Sequence, residues 1–475
     1  MPIPEKFLIQ GLGGKKTLKG TVTINGAKNA ALKAMAAAVL FDGPVTLENV
    51  PDTADVETMI RILRKLGAKA EWKGADDSRF QIADSRTEQG KKILEIDPTS
   101  IHSTDIDVAL ATSMRSSVVL TGPMLARYGK VSLPAPGGCV IGARPIDLFI
   151  EGYKEMGAPT VLRDDIYKIE APRILNGADI HFKKVISVTA TETLMMAAVL
   201  ANGKTILKNC ACEPEIVNVA EWLNACGAKI IGAGTSIIEV EGRNGELLSS
   251  KKASYVAIPD RIEAGSFLIL GALCAEDLLI KDCRPDHLTL LIDMLTKSGV
   301  QIEVGADFVR VTNPISSGKA SASFKSFDVR TSEYPGFATD LQSPIVTFLT
   351  QATGESKVTE TIFEGRFKYT EDLKKMGADI SVLSPQEILI KGPSVLNELP
   401  AGEELRAHDI RAGFAIVLAA LCGTGKFTVN NIHLIDRGYE KLEERLRALG
   451  ADMERVQVAA QLSVSDKDML LAKKA

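Results

Sequence analysis

The sequence predicts an α/β fold built from six copies of one unit, and three observations support this prediction. A glycine follows a charged amphipathic helix six times, at intervals of about 70 residues after a first interval of about 90 residues: Gly67, Gly157, Gly227, Gly299, Gly377 and Gly450. Almost wholly apolar helices and short β-branched strands recur between these glycines. Such a period indicates a repeated supersecondary unit, and a helix that is apolar on all sides is typical of a core.

Each unit reads as βαββαβ, with an apolar helix first and an amphipathic helix second. The pattern predicts core helices at 30–41, 194–200, 265–274 and 412–421, amphipathic helices at 56–66 and 439–449, and strands at 44–47, 204–207, 229–231, 379–382 and 426–429. We expect the apolar helices to be buried in two groups of three. The first interval exceeds the others by about 20 residues, which predicts an inserted loop within 76–105.

Composition narrows the possible functions. The chain has 475 residues, which indicates two domains, and a net charge of −4, which disfavours nucleic acid or an anionic membrane as a partner. Seven cysteines without a Cys-x-x-Cys pair, together with five histidines, predict reduced thiols, no metal site and a cytoplasmic location. The N-terminus lacks the features of a signal peptide, and the apolar runs are too short to span a bilayer. Cys226, Cys274 and Cys422 lie in apolar runs and are interpreted as core residues.

Charged residues recur at two equivalent points of the unit. The first point, about 40 residues before the glycine, carries Lys28, Arg115, Glu192, Glu263, Asp340 and Arg411. The second point, about 12 residues before the glycine, carries Arg144, Glu215, Asp286, Arg366 and Arg437. Both points lie at predicted helix N-termini, where a cation opposes the helix dipole, so the lysine and arginines indicate an anionic ligand.

One loop, 134–145, combines prolines, paired glycines, the thiol of Cys139 and the guanidinium of Arg144. Such a loop is either a mobile, reactive element or a structural turn with a buried cysteine. Arg144 precedes its repeated glycine by nearly the same interval as Arg366 and Arg437 precede theirs. This match favours the first interpretation, because it places the loop among the recurring cations.

The chain resembles the UDP-N-acetylglucosamine enolpyruvyl transferases over roughly residues 7 to 458. The motifs that carry the resemblance are residues 24–31, 136–148, 213–217, 259–263, 338–342 and 435–440. The resemblance implies a two-lobe inside-out α/β barrel with three units in each lobe. The N-terminal lobe would be 28–258, the C-terminal lobe 1–27 with 259–460, and the tail 461–475, with the active site in the cleft between the lobes.

The resemblance also implies a reaction. The enolpyruvyl group of phosphoenolpyruvate would pass to the 3-hydroxyl of UDP-N-acetylglucosamine, with release of phosphate, by addition and elimination. Asp340 would be the general base, and Cys139 the general acid and the target of fosfomycin. The phosphoenolpyruvate site would comprise Lys28, Asn29, Arg144, Arg366, Arg411 and Arg437.

The UDP-sugar site implied by the resemblance comprises Arg115, Arg144, Pro145, Ile146, Asp147, Leu148, Val185, Ile186, Ser187, Val188, Asp340 and Ile362. The chain departs from the usual family residues at Val185, Thr189, Ala338 and Gly365. No metal or cofactor is expected. The protein would be a monomer or weak homo-oligomer that performs the first committed step of peptidoglycan precursor synthesis.

Three alternatives are weighed against this interpretation. A 3-phosphoshikimate enolpyruvyl transferase would share the fold and the phosphate clamp, but the Gly-Gly-Cys loop disfavours it. A non-catalytic UDP-sugar-binding paralogue is disfavoured by the joint presence of Lys28, Cys139, Asp340 and Arg437. A nucleic-acid clamp is disfavoured by the acidic net charge.

Overall fold

A computed structural model describes residues 4–73, 92–135, 146–172, 174–183, 185–313 and 324–457. The strands in this part of the chain are β1 (Glu5–Gln10), β2 (Leu18–Thr23), β3 (Val45–Glu48), β4 (Lys69–Trp72), β5 (Ile93–Asp97), β6 (Lys130–Pro134), β7 (Thr160–Arg163), β8 (Ile166–Glu170), β9 (Asp179–His181), β10 (Lys204–Lys208), β11 (Lys229–Ile231), β12 (Ile237–Glu241), β13 (Ser254–Val256), β14 (Ala275–Lys281), β15 (Gln301–Val304), β16 (Phe308–Thr312), β17 (Val329–Arg330), β18 (Gly354–Thr359), β19 (Asp379–Ser384), β20 (Glu387–Gly392), β21 (Leu405–Arg406), β22 (Lys426–Asn430) and β23 (Met453–Gln457).

Helices alternate with these strands. They are α1 (Lys28–Ala37), α2 (Ala54–Leu66), α3 (Val108–Ser113), α4 (Thr121–Tyr128), α5 (Asp147–Glu155), α6 (Val188–Val199), α7 (Pro214–Ala225), α8 (Arg261–Cys274), α9 (Thr289–Ser298), α10 (Gln342–Leu349), α11 (Thr370–Lys375), α12 (Ile410–Cys422) and α13 (Leu442–Ala448). None of the helices in the described ranges is long and apolar enough to cross a bilayer.

The described strands form six small sheets, and the five four-stranded ones are mixed and share one pattern. In each four-stranded sheet an edge strand runs parallel to its neighbour, and the two following pairs are antiparallel, as in β9-β10-β12-β11 and β17-β18-β20-β19. The three-stranded sheet β6-β8-β7 has an isolated parallel bridge, Asp105 to Ser132, in place of the edge strand. Along the chain the elements of one sheet run β9, α6, β10, α7, β11 and β12, so the repeated unit is βαβαββ. The repeat itself is confirmed, but the βαββαβ order expected from the sequence is wrong, because the second helix is followed by an antiparallel pair of strands.

Distant parts of the chain complete three of these sheets. Strand β1 lies between β22 and β23, and β2 runs parallel to β14, so both N-terminal strands pair with the C-terminal half. Strand β13 returns to run parallel to β3. In the segment expected to hold an insertion, β5 pairs with β3 and β4, and 74–91 lies outside the described residues.

Two separate hydrophobic cores contain the apolar helices. One core comprises buried residues between Ala27 and Ala257, and the other comprises residues from Phe7 to Ile24 and from Ile262 to Met453. The three helices α8, α10 and α12 contact one another in the second core, and every residue from Ile262 to Cys274 in α8 is buried. The prediction that the apolar runs are core helices is therefore confirmed.

The six repeated glycines all have positive φ, between 90° and 109°. Gly67 and Gly299 are left-handed C-caps of α2 and α9. The predicted helix ends are confirmed, because glycine adopts this conformation without steric cost. The predicted start of the last amphipathic helix at 439 is wrong. Lys441 has φ 47°, and α13 begins after it, while the Tyr439 hydroxyl is hydrogen-bonded to Ser266 in the core.

Candidate active site

Two buried arginines bind a single carboxylate at the centre of the candidate site. Arg366 Nη2 lies 2.8 Å from Asp340 Oδ1, and Arg411 Nε lies 3.3 Å from Oδ2. The arginine side chains are 2% and 3% exposed, whereas that of Asp340 is 29% exposed, so the carboxylate is the group that solvent reaches. Burial opposes ionisation of Asp340, but the two guanidiniums hold its pKa well below the usual range.

A buried glutamate fixes the position of Arg366. Arg366 Nη1 donates to Thr339 Oγ1 at 2.7 Å, and Thr339 Oγ1 donates to Glu360 Oε2 at 2.7 Å. Glu360 is fully buried, and its Oε1 accepts hydrogen bonds from Thr331 and from the backbone N–H of Ile362 and Phe363. Thr339 belongs to the same 3₁₀ turn as Asp340, Thr339–Leu341, so one network orients both partners of the ion pair.

Arg411 is positioned by the first turn of α12. The carboxylate of Asp409 caps this helix by accepting hydrogen bonds from the backbone N–H of Arg411 at 2.8 Å and Ala412 at 2.9 Å. The guanidinium lies 5.1 Å from the ring centroid of Tyr439, which is fully buried. The cap and the aromatic ring together hold a cation at a helix N-terminus, where the dipole alone would disfavour it.

A second carboxylate, Asp55, joins two more cations. Lys28 Nζ lies 3.0 Å from Asp55 Oδ2, and Arg437 Nε lies 2.8 Å from Oδ1. Burial alone would raise the pKa of Asp55, but Lys28 and Arg437 lower it below its usual value. Lys28 begins α1 and Asp55 lies in the first turn of α2, so two helix N-termini meet at this pair.

These two groups form one electrostatic cluster. Burial lowers the pKa of Lys28, and the positive charges of Arg411 and Arg437 lower it further, while Asp55 opposes the shift. Among the described residues, Arg366 Nε and Arg411 Nη1 are buried donors with no hydrogen-bond partner. Four cations therefore surround two directly paired carboxylates, and unused donors remain. Such an arrangement suits a small ligand with more than one negative charge.

The structure brings together Lys28, Arg366, Arg411, Arg437 and Asp340 from the predicted site. Asn29 follows Lys28 in α1 and is half-buried. Ile362 joins the same network through Glu360. Arg115 begins the 3₁₀ helix Arg115–Leu120.

The remaining predicted UDP-sugar residues lie at two helix N-termini of the first core. Ile146 and Asp147 precede and begin α5, and Leu148 follows them. Ser187 caps α6 by accepting from the backbone N–H of Ala190 at 3.2 Å, and Val188 begins that helix. Val185 and Ile186 precede this cap, and Val185 is 52% exposed. Within the described residues, no hydrogen bond or ion pair links the side chains of Asp147 or Ser187 to the cation cluster.

Three predicted site residues, Cys139, Arg144 and Pro145, lie outside the described residues. The assignments of Cys139 as general acid and of Arg144 as a phosphate ligand therefore stay predictions. The described cysteines Cys226, Cys274 and Cys422 are buried, as the sequence predicted.

Asp55 and Glu360 were not among the site residues predicted from the sequence. Asp55 precedes Gly67 by the same interval that separates Glu215 from Gly227, so the repeat contained the signal for it. Asp55 is the charged residue of the first unit at the second repeat point. Glu360 has no comparable signal, because its role depends on the threonines and backbone donors that the fold gathers around it.

Comparison with known proteins gives a consistent result. The family model described as EPSP synthase (3-phosphoshikimate 1-carboxyvinyltransferase) matches residues 12–446. A protein from Halothermothrix orenii named UDP-N-acetylglucosamine 1-carboxyvinyltransferase is 42% identical, with coverage of 95% of this chain and 99% of its own. One of the same name from Desulforapulum autotrophicum is 40% identical, with coverage of 93% and 98%.

Solved structures support the fold. The enolpyruvyl transferase NikO from Streptomyces tendae has a TM-score of 0.81 at 24% identity, with coverage of 96% of this chain and 100% of its own. An EPSP synthase from Acinetobacter baumannii has a TM-score of 0.65 at 17% identity, with coverage of 95% and 100%. The mixed α/β arrangement of small sheets is thus shared with these proteins.

Proposed function

Because the chain belongs to the enolpyruvyl transferase family, we propose that it transfers the enolpyruvyl group of phosphoenolpyruvate to the 3-hydroxyl of UDP-N-acetylglucosamine and releases phosphate. The observation that carries this proposal is the partly exposed carboxylate of Asp340, held by buried Arg366 and Arg411 beside Lys28 and Arg437. This group offers cations for a phosphate and a carboxylate, together with a base. The relatives' shared name supports UDP-N-acetylglucosamine as the acceptor.

The cations divide between the two charged ends of phosphoenolpyruvate. Lys28 and Arg437, with Arg144, bind the phosphate, and Arg366 and Arg411 bind the carboxylate. Asn29 lies beside Lys28 and contributes to the same site. Buried donors that are already in place stabilise developing charge without reorganisation, which favours the charged transition state.

Substrate binding also activates the base. An incoming substrate carboxylate competes with Asp340 for Arg366 and Arg411, so the pKa of Asp340 rises toward its ordinary value. The carboxylate then accepts the proton of the sugar 3-hydroxyl while the hydroxyl oxygen bonds to C2 of phosphoenolpyruvate. Asp340 is weakly basic in the absence of phosphoenolpyruvate, so the sugar hydroxyl is not deprotonated before the electrophile is bound.

Addition is completed by a proton delivered to the methylene carbon, C3, for which Cys139 is the donor. The product is a tetrahedral ketal that carries both the sugar oxygen and the phosphate. In the elimination step, the Cys139 thiolate takes a proton back from C3 as the bond between C2 and the phosphate oxygen breaks, and the departing phosphate receives the proton that Asp340 had accepted. The double bond re-forms and inorganic phosphate departs.

The proposal extends to architecture and cellular role. The fold is a two-lobe inside-out barrel with lobes 28–258 and 1–27 with 259–460, and the substrates bind in the cleft between them. Residues Arg115, Arg144 to Leu148, Val185 to Val188, Asp340 and Ile362 line the UDP-sugar site. The enzyme works in the cytoplasm, as a monomer or weak homo-oligomer, at the first committed step of peptidoglycan synthesis.

Phosphate release with two alternative acceptors tests the proposal. The purified chain is incubated with phosphoenolpyruvate and either UDP-N-acetylglucosamine or shikimate 3-phosphate. We expect release that requires phosphoenolpyruvate and UDP-N-acetylglucosamine together. The description of the matching family model makes 3-phosphoshikimate transfer the second candidate, and equal or greater release with shikimate 3-phosphate would favour it. Binding of UDP-N-acetylglucosamine without any phosphate release would instead indicate a binding protein.

A further inference from the structure

Two cysteines of the second core lie in contact although they are distant in the chain. Cys274 Sγ and Cys422 Sγ are 3.6 Å apart, and both thiols are free. Cys274 ends α8 and Cys422 ends α12, so the thiols join the C-terminal ends of two packed core helices. A disulfide needs a sulfur separation of about 2.0 Å, so a shift of about 1.6 Å would allow the bond.

Asn313 links a lysine of the glycine-rich turn 11–16 to the residue after Cys274, because Asn313 Nδ2 donates to the Ala275 carbonyl at 2.8 Å. Lys16 Nζ donates to Asn313 Oδ1 at 2.8 Å and lies 4.0 Å from the ring centroid of Phe324. Burial lowers the pKa of Lys16 to about 8, and the negative charge of an ionised Cys274 or Cys422 would raise it. A cation within electrostatic range of two thiols stabilises the thiolate, which is the form that reacts with oxidants.

The two sulfurs differ in their access to solvent. Cys274 is 1% exposed and Cys422 is 9% exposed. The hydrogen bond with Cys422, together with burial, raises the pKa of Cys274 well above its usual value, so Cys274 retains its proton. The backbone of Gly14 donates to the Cys422 carbonyl at 3.1 Å, so the glycine-rich turn that carries Lys16 covers the Cys422 end of the pair.

We propose that Cys274 and Cys422 form a reversible disulfide under hydroperoxide, and that the charge of Lys16 accelerates the reaction. The Cys422 sulfur attacks hydrogen peroxide, which becomes hydroxide as a sulfenic acid forms. The Cys274 sulfur then displaces the sulfenic hydroxyl, and its proton leaves with that hydroxyl as water. The sum is two thiols and one peroxide giving one disulfide and two waters. A dithiol reduces the bond again.

The bond would tie together two helices whose opposite ends serve the candidate active site. Asp260, which caps α8, accepts a hydrogen bond from the backbone N–H of Lys28 at 3.4 Å, and Arg411 lies in the first turn of α12. Both helices belong to the same hydrophobic core, so the crosslink restrains that core internally. A crosslink that closes a long loop restricts the unfolded chain strongly, so oxidation should raise the Tm.

Differential alkylation tests the proposal on the full chain carrying Cys139→Ser, which removes a thiol that the proposed function makes reactive. After hydrogen peroxide treatment, we expect a peptide pair linked through Cys274 and Cys422, two fewer titratable thiols, and recovery of both thiols with dithiothreitol. The Tm should rise in the oxidised sample and return on reduction. Absence of the linked peptides while other thiols are oxidised would overturn the proposal, and so would oxidation of Cys422 only to sulfinic acid.

Two lysine variants test the role of Lys16 without altering the cysteines. Lys16→Met should slow disulfide formation about tenfold, because the thiolate loses its nearby cation. Lys15→Met changes the exposed neighbouring lysine and should leave the rate unchanged. Equal rates in the two variants would overturn the role of Lys16. Cys226→Ser, which alters a buried cysteine outside the pair, should leave the linked peptides in place.

Discussion

Asp340 and Glu192 occupy the same point of two repeat units, yet their surroundings give them opposite ionisation behaviour. They stand at closely similar intervals before their marker glycines, Gly377 and Gly227. Two guanidiniums hold the pKa of Asp340 far below its usual range. Glu192 lies in the first core with one amine, Lys33, at 3.2 Å, and burial raises its pKa to about 7 despite that amine.

The difference shows what converts a repeated position into a functional one. The Glu192 side chain is 1% exposed, and its carboxylate has the Lys33 ion pair but no well-aligned hydrogen bond among the described residues. The Asp340 side chain is 29% exposed and receives two guanidiniums from α12 and from the loop that Glu360 organises. A carboxylate can accept a proton from a substrate when cations keep the carboxylate ionised and when it is open to solvent. Glu192 meets neither condition.

The largest effect is expected from Asp340→Asn, which removes the proposed general base. Phosphate release should fall at least about 100-fold, because an amide cannot accept the hydroxyl proton. The measurement is kcat with both substrates saturating. Asp286→Asn provides the control, since Asp286 also lies at a repeat point, the second of the unit, but has a side chain that is 72% exposed. Activity within a few-fold of wild type in Asp340→Asn would contradict the assignment of the base.

Asp55→Asn tests the second carboxylate of the cluster. The substitution leaves the buried Lys28 and the adjacent Arg437 without a shared counter-charge, so the free energy of unfolding should fall by about 3 kcal/mol. Urea denaturation at neutral pH measures the change. Asp52→Asn, at a side chain that is 54% exposed, should cost less than about 1 kcal/mol. Similar losses for the two variants would show that Asp55 does not stabilise the cluster electrostatically.

Glu192→Gln tests the other carboxylate of the comparison through the pH dependence of the protein's stability. The folded-state pKa of Glu192, about 7, lies above the unfolded value of 4.5. The folded state therefore binds the proton more tightly, and the stability that Glu192 contributes is present below about pH 4.5 and is lost as the pH rises through 7. Between pH 5 and pH 8 the stability of Glu192→Gln should rise relative to wild type by about 2 kcal/mol. A difference that is constant with pH would mean that Glu192 is ionised throughout this range.

The smallest effect is expected from Thr339→Val, which keeps both charged partners of Asp340. Loss of the hydroxyl removes one hydrogen bond to Arg366 and one to Glu360, which should cost about 1 to 2 kcal/mol of stability. The KM for phosphoenolpyruvate should rise several-fold while kcat changes less, because the variant loosens Arg366, a proposed binding group, and retains Asp340, the proposed base. Thr296→Val, on the exposed face of α9, is the control and should change neither quantity.

Local patterns were sufficient to predict most of the architecture. The six glycines, the apolar helices and the short strands each depend on backbone conformation or on side-chain hydrophobicity within a few residues. The prediction failed at 439, where the buried hydroxyl contact of Tyr439 and the positive φ of Lys441 delay the helix. That outcome depends on Ser266, which lies 173 residues away in the chain, so no local pattern could have revealed it.

By itself, the sequence determined the repeat, the core helices and the recurring cations, because each depends only on residue type and spacing along the chain. Only the tertiary structure decided which carboxylates those cations meet. Arg437 pairs with Asp55 across 382 residues, and Arg411 pairs with Asp340 across 71. The physical reason is that ionisation depends on burial and on neighbouring charges, both of which arise only when distant units pack together. Asp340 and Glu192 share a repeat position, and folding alone makes one a charged site residue and the other a core carboxyl.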